Sequence, residues 1–359
     1  MAIDRRALLL GLGASGALSL TAFADTRGEA AFVACTREAD GNYAAVVLDA
    51  DANVLFSEGL DARGHDAAIA PDGRTAVVFA RRPGRFAIVL DLVARRRSAA
   101  ITPPPDRVFA GHGVFSPDGR LLYATENDFE AARGVLGLYE TQTFRRVGEI
   151  PTHGVGPHEA ILLSDNHTLA IANGGIETHP DYPREKLNLA TMEPNLALVD
   201  SATGDLIGKA GLPRDLHQLS IRHMSETADG SLWFGGQYQG PITDSIPLVG
   251  SFDRDGAISL VDAPDGVYRD LNQYIGSVST SRDGRRVVTA SPRGGSYVVW
   301  DTASRTVIEQ RSVTDVCGTA PDSAGFLISD GTGRLWRDDR LLSASDRAFD
   351  HHIAFRVSG

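Results

Sequence analysis

The sequence predicts an all-β protein, a seven-bladed β-propeller closed by three N-terminal strands and one C-terminal strand. The first observation is a repeated strand–turn–strand unit, clearest as Gly111-His112-Gly113-Val114-Phe115-Ser116-Pro117-Asp118-Gly119 and the apolar run to Ala124. A near copy runs from Gly64-His65-Asp66 through Pro71-Asp72-Gly73 to Val78, and looser copies begin near His158, His223, Ser277 and Cys317. Proline presets the first turn angle and glycine accepts a positive φ, so each hairpin is specified locally. The second observation is that most units continue into a third strand ending in an acid, as in Leu196–Asp200 and Tyr297–Asp301. Four short strands per unit at this spacing describe one propeller blade. The third is closure. The final His351–Val357 reads as a lone first strand, and the N-terminal strands (30–36, 43–49, 53–56) lack one. Joined, they complete a seventh blade and leave no open edge. Irregular fourth and fifth units leave six or eight blades as alternatives.

Taken in order, residues 1–24 read as an export signal rather than as structure. Arg5-Arg6 precede a mildly apolar Gly/Ala-rich segment ending in Ala22-Phe23-Ala24. Paired arginines before such a segment suit the bacterial twin-arginine route, so the mature domain, residues 25–359, is expected in the periplasm. No later run is long and apolar enough to span a bilayer, and a monomer without stable membrane insertion is expected. With formal net charge −11 and 42% hydrophobic residues, the chain has material for a core and an acidic surface. That balance argues against nucleic acid. The lone basic run, Arg95-Arg96-Arg97, reads as a solvated strand edge. The two cysteines, Cys35 and Cys317, fall in strands far apart in sequence, where small buried apolar residues are the simpler reading than a bridge.

Two inserts interrupt the repeat. Residues 176–194 carry three prolines and mixed polarity, which predicts a structured loop rather than a helix. Residues 237–247 play the same part in the fourth unit. Loops carried on a rigid propeller are where specificity tends to reside.

Histidines carry the chemistry. His65, His112, His158 and His223 begin repeat units, and His351 or His352 begins the closing one. First strands line a propeller's central channel, so equivalent positions meet as a ring. Alternation decides which of His351 and His352 points inward, and His352 is taken as the ring member. The spacing from each histidine to its turn aspartate varies between six and seven residues, which implies bulges in some copies. Neutral imidazole suits iron, copper and zinc, and the metal set expected is His112, His158 and His223. Glu126, Asp128, Glu159, His179, Asp181 and His217 are the residues expected to complete the mouth and its lid, residues 174–195. The competing reading keeps the histidines as spacers between blades. No His-x-x-x-His, His-Glu-x-x-His or Cys-x-x-Cys-His spacing is present, and there is no Gly-x-Ser-x-Gly elbow or phosphate-cradling loop.

Along its mature length the chain resembles the DUF1513 family of periplasmic propeller proteins. The carriers are His112–Ser116, Thr125-Glu126-Asn127-Asp128, Gly156-Pro157-His158-Glu159, Gly174–Asp181 running to Leu189, and Leu216–His223. The family's genes typically lie beside those for imelysin-like iron-regulated proteins and a dihaem oxidoreductase-like protein. The resemblance therefore implies a role in periplasmic iron acquisition with those proteins as partners. The expectation is a non-enzymatic accessory that binds iron, another transition metal, haem or a partner protein at the histidine mouth. The alternative is a metal-dependent redox or hydrolytic enzyme at the same mouth, with Glu159 or Glu126 as base. A pure interaction scaffold is the third.

Overall fold

In the computed structural model, residues 28–182, 185–253, 256–323 and 325–356 are described, so the expected leader lies outside the described residues. The chain forms seven antiparallel four-stranded sheets. Blades 1 to 6 follow chain order. Their inner strands are Gly64–Ile69, Arg107–Phe115, Pro157–Leu162, Leu219–Glu226, Ser277–Thr280 and Val316–Pro321. In the closing blade, Ala348–Phe355 is innermost and pairs with Phe32–Arg37, followed by Tyr43–Leu48 and Val54–Leu60. Consecutive inner strands are neighbours all the way round, including the closing strand against blade 1. The seven-blade prediction and its closure are therefore met.

The repeated turns form as written. Gly73, Gly119, Gly230 and Gly284 all take positive φ, between +67° and +79°. The turn aspartate ties each hairpin: Asp118 Oδ1 accepts from Ser116 Oγ at 2.7 Å and from the Arg120 amide at 3.0 Å. Asp283 and Asp229 make the equivalent bonds to Ser281 and Thr227.

The apolar core does not lie on the axis. It is divided into seven clusters, each between consecutive blades. Val78, Ile88 and Leu90 of blade 1 pack on Val33 and Val47 of the closing blade, and Phe79 packs on Phe109 and Leu122 of blade 2. The remaining clusters repeat this pattern round the ring. Second and third strands are buried on both faces and so read as unbroken apolar runs. Outer strands alternate: in blade 1, Arg96–Ile101 has every second residue exposed, which is where the basic run falls. The axis is left to the polar faces of the inner strands. Cys35 and Cys317 are buried free thiols, as the apolar reading expects. No helix among the described residues is long and apolar enough to cross a membrane.

The insert at 176–194 is a folded loop with an isolated bridge between His179 and Tyr182 and one 3-10 turn, Leu189–Thr191. Asn188 pins it, donating to the Gly175 carbonyl and accepting from the Glu177 amide. A helical turn at Val267–Asp270, between blades 4 and 5, was not anticipated from the sequence.

Candidate metal centre in the channel

Five imidazoles close a ring across the channel. Ring-centroid separations run His65–His112 4.9 Å, His112–His158 4.8 Å, His158–His223 4.7 Å, His223–His352 4.5 Å and His352–His65 4.7 Å. All five are buried, His112 with 1% of its surface exposed. Local backbone explains how they get there. The pairing register slips between Gly64 and Ala67, Phe109 and Gly113, Pro157 and Glu159, Ile221 and His223, and opposite residues 349–353. Each of these five slips falls at a histidine, while a sixth, between Val316 and Thr319 in blade 6, falls at Cys317-Gly318. A bulge adds an unpaired residue and re-aims side chains, so adjacent residues can both serve the channel. The inner strand of blade 5 has no histidine and no slip. There Ser277 and Ser279 bond to Thr319 of blade 6 at 2.9 Å each and complete the wall.

Bulging also resolves the closing pair. His352 joins the ring, while His351 stands just outside it, 6.3 Å from His65 by centroid. Its Nδ1 lies 3.5 Å from the Tyr274 hydroxyl.

Three carboxylates set its electrostatics: Glu159, which is among the expected site residues, and Asp66 and Asp350, which are not. Asp66 Oδ2 lies 2.9 Å from His112 Nδ1. Burial works against a charge on His112, but this bond and the Asp66 and Glu159 charges outweigh it and raise its pKa. Neutral His112 donates Nδ1–H to Asp66 and keeps its lone pair on Nε2; the raised pKa means that a proton competes with a cation for that nitrogen. Asp350 lies 3.5 Å from His65 Nδ1 and is paired with Arg63 and Arg81. Burial opposes its charge, yet the adjacent His65 ring and the surrounding cationic groups hold its carboxyl far below the usual range. Glu159 accepts from the Met224 amide at 2.7 Å and stands 3.8 Å from His223 Nδ1 and 4.0 Å from His112 Nδ1. Burial pushes it up to about 7, with His112 opposing and Asp66 assisting. The pairs His65-Asp66, His158-Glu159 and Asp350-His351 are visible in the sequence. Strict alternation sends the second member of each to the opposite face, so only the bulges bring them into play.

Burial lowers His158, His223 and His352 well below the ordinary imidazole range, His65 to about 4 and His351 to about 3. Apart from His112, the cluster is neutral. Below pH 6.5 the unfolded chain takes up protons that folded His65, facing Asp350, His112 and Arg81, refuses until about pH 4. Stability therefore falls as pH drops through that window, by about 3 kcal/mol for His65 alone. His112 acts in the opposite sense and offsets part of this. The thermal midpoint of metal-free protein is expected to fall between pH 7 and 4.5, and a midpoint that stays level would contradict the neutral cluster.

His112 Nε2, His158 Nε2 and His352 Nε2 are buried without a hydrogen-bond partner among the described residues, as are His65 Nδ1 and His223 Nδ1. Such atoms cost about 1–3 kcal/mol each unless something satisfies them. Ligand nitrogens of His65, His112 and His352 lie within 4.8 Å of one another, and so do those of His112, His158 and His223. The two sets differ in one respect. Arg222 Nη1 donates to His158 Nδ1 at 3.2 Å. A neutral His158 accepting there carries its proton on Nε2, which removes that nitrogen as a ligand.

A cavity of about 760 Å³ opens from one face of the ring and reaches Asp66, His112, Glu159 and His352. Its walls are the later residues of the inner strands. The insert leaves blade 3 at Asn173, which pairs with Pro157 at the strand's beginning, so it covers the opposite face. Residues 174–195 are therefore not a lid over the open approach to the histidines.

The other expected site residues lie apart from the ring. Glu126, fully buried, accepts from Tyr139 Oη at 2.6 Å and pairs with Arg146 at 3.0 Å inside blade 2. Asp128 pairs with Arg107 at 3.1 Å and Arg133 at 2.8 Å in the same blade. His179 packs edge-on to Phe129, with Asp181 exposed beside it. His217 Nδ1 donates to the Arg214 carbonyl at 3.0 Å. Glu126 is a structural ion pair: Glu126→Ala is expected to destabilise the fold by about 1–3 kcal/mol, since it leaves the buried Tyr139 hydroxyl without a partner while Arg146 keeps Glu149 at 2.6 Å. Metal uptake by the folded fraction is expected to be unchanged. Denaturant titration and metal analysis together check this.

Fold and site together define a closed seven-bladed propeller whose channel is plugged by five buried imidazoles, with Asp66 and Glu159 on the cavity side. The chain belongs to the family described as "Protein of unknown function (DUF1513)", whose model matches residues 58–356. Among solved structures it is similar to Kuenenia stuttgartiensis hydrazine synthase, at 14% identity and a TM-score of 0.63, over 82% of this chain and 91% of that one. At that identity the likeness is one of fold. No curated protein matches the chain.

Proposed function

We propose that this protein binds one divalent transition-metal ion in its channel through His65, His112 and His352, as a non-enzymatic accessory of metal acquisition. The observation that carries the reading is three buried imidazoles whose ligand nitrogens lie within 4.8 Å, with the Nε2 atoms of His112 and His352 unpartnered. Metal–imidazole bonds of about 2.0–2.1 Å bring such nitrogens closer, an adjustment that ring rotation supplies. Asp66 and Asp350 stand behind His112 and His65 as carboxylates behind ligating histidines do. Arg222 on His158 favours this set over His112, His158 and His223.

Imidazole ligands suit zinc, copper, iron and nickel. A bare ion is favoured over haem because the rings pack on one another at centroid separations below 6 Å, without a slot for a macrocycle. The Arg5-Arg6 leader supports a periplasmic site of action, and the family resemblance supports iron as cargo with imelysin-like and dihaem oxidoreductase-like proteins as partners. Closure of the ring, which leaves no free inner edge, supports a monomer. A second reading rests on Glu159, which borders both the ring and the cavity. There it would act as base toward a metal-bound water, and the protein would hydrolyse a small ester.

The test is titration of tag-free, metal-depleted protein with Zn(II), Cu(II) and Fe(II), read as ions bound per chain. One ion per chain in wild type and in His158→Ala, with loss in His352→Ala, is the expected result. Failure of all three metals to bind overturns the proposal. Loss in His158→Ala with retention in His352→Ala overturns the ligand set. Turnover of p-nitrophenyl acetate that needs both metal and Glu159 would select the enzymatic reading.

A further inference from the structure

On the face of the ring opposite the cavity the charges reverse. Arg222, on the inner strand of blade 4, is 4% exposed, and its Nε is buried without a hydrogen-bond partner. Its guanidinium abuts the backbone of Gly174, where the insert begins: a Cβ built on that glycine would lie 3.4 Å from Arg222 Cζ. Arg293 enters from blade 5 and lies 4.4 Å over the ring of Tyr274. Tyr274 in turn points its hydroxyl at His351. The insert contributes Lys186, whose ammonium donates to Gln239 Oε1 at 2.5 Å. Arg82 lines a small pocket together with Thr178, His179 and Pro180 of the same loop.

Among the described residues, none of Arg82, Arg222, Arg293 and Lys186 forms an ion pair with a carboxylate. Asp350, which precedes the closing-strand histidines, is engaged by Arg63 and Arg81. The cations are close enough to oppose one another. Burial lowers Lys186, and the charges of Arg222, Arg293 and Arg82 lower it further; burial and Arg82 do the same to Arg222. A guanidinium stays protonated under such pressure, so the repulsion remains in the folded state. Concentrating like charge beneath a loop is unfavourable unless an anion is held there.

We propose that this mouth is a binding site for a small oxyanion, a phosphate or a carboxylate, held by Arg222, Arg82 and Arg293 and covered by the insert through Lys186. Guanidinium groups present planar pairs of donors that match both anions. The site stands on the far side of the imidazole ring from the acid-lined cavity and does not depend on metal binding. The channel then takes a cation from one face and an anion from the other, with neutral imidazoles between them.

The experiment follows the thermal midpoint of dialysed, metal-free full-length protein in sodium phosphate, sodium succinate and sodium chloride at matched ionic strength. The expected result is a rise of several degrees in phosphate, succinate or both, beyond the chloride control. Response to one alone assigns the ligand to that class. Arg222→Met is expected to melt no lower than wild type without anion, because it removes an unpaired buried cation, and to lose the anion response. Lys186→Ala is expected to fold normally and to bind about tenfold more weakly. His352→Ala is expected to keep the response, so failure of the metal reading and failure of this one are told apart. No rise beyond chloride in wild type, or a response that survives undiminished in both Arg222→Met and Lys186→Ala, overturns the proposal.

Discussion

His112→Ala is expected to abolish stoichiometric metal uptake, the largest functional effect predicted for a single residue. His112 is the member common to both nitrogen sets and to the third cluster with Asp66 and Glu159. It is also the imidazole whose Nδ1 is committed to a carboxylate, so its Nε2 is the lone pair already prepared for a cation. Asp66→Asn separates preparation from ligation. It keeps the shape but removes the charge behind His112, and affinity is expected to fall about 10–100-fold with stoichiometry unchanged. Equilibrium dialysis against a competing chelator reads both numbers. Equal affinity in Asp66→Asn and wild type would remove Asp66 from the site. Full uptake by His112→Ala would remove the site itself.

Loss of the closing strand is expected to have the largest structural effect. Deleting residues 348–356 exposes the inner edge of Phe32–Arg37 and opens the ring between blades 6 and 1. It also deletes Asp350, leaving Arg63 and Arg81 without their buried partner. An open sheet edge invites pairing with other chains, so aggregation or higher oligomers in place of a monomeric peak are expected on size-exclusion chromatography. A gentler version keeps the strand. Ile353, 4% exposed, packs between the closing blade and blade 6. Ile353→Ala is expected to cost about 2–5 kcal/mol in denaturant titration. If the truncated chain remained monomeric with an unchanged melting midpoint, closure by the terminal strands would not be what holds the ring.

The blades were legible because their information is local. Pro117-Asp118-Gly119 and its copies encode a turn in a few residues, and the flanking apolar runs encode strands buried on both faces. The closing blade was legible for a different reason, since a lone strand at one end and three at the other leave one economical pairing. Even the histidine ring could be read as equivalent positions in a repeat. What the repeat could not show was the second residue of each pair. Asp66 and Asp350 were invisible as site residues because a regular strand turns neighbours to opposite faces, and the bulges that override this arise from pairing between strands. Glu126 and Asp128 misled for the converse reason. They read as acids able to complete the histidine site, but their partners, Arg146, Arg133 and Arg107, lie on other strands of the same blade.

The sequence by itself determined the architecture and which residue type meets at the axis, and favoured seven blades over six or eight, since turn chemistry and strand periodicity act over a few residues and repeat. Only the tertiary structure decided the polarity of the channel. Cations from blades 1, 4 and 5 and from the insert gather at one mouth, with Asp350 beside them, and Asp66 and Glu159 stand at the other. Each side chain's charge state there is set by burial and by neighbours distant in the chain, and both exist only once the ring has closed.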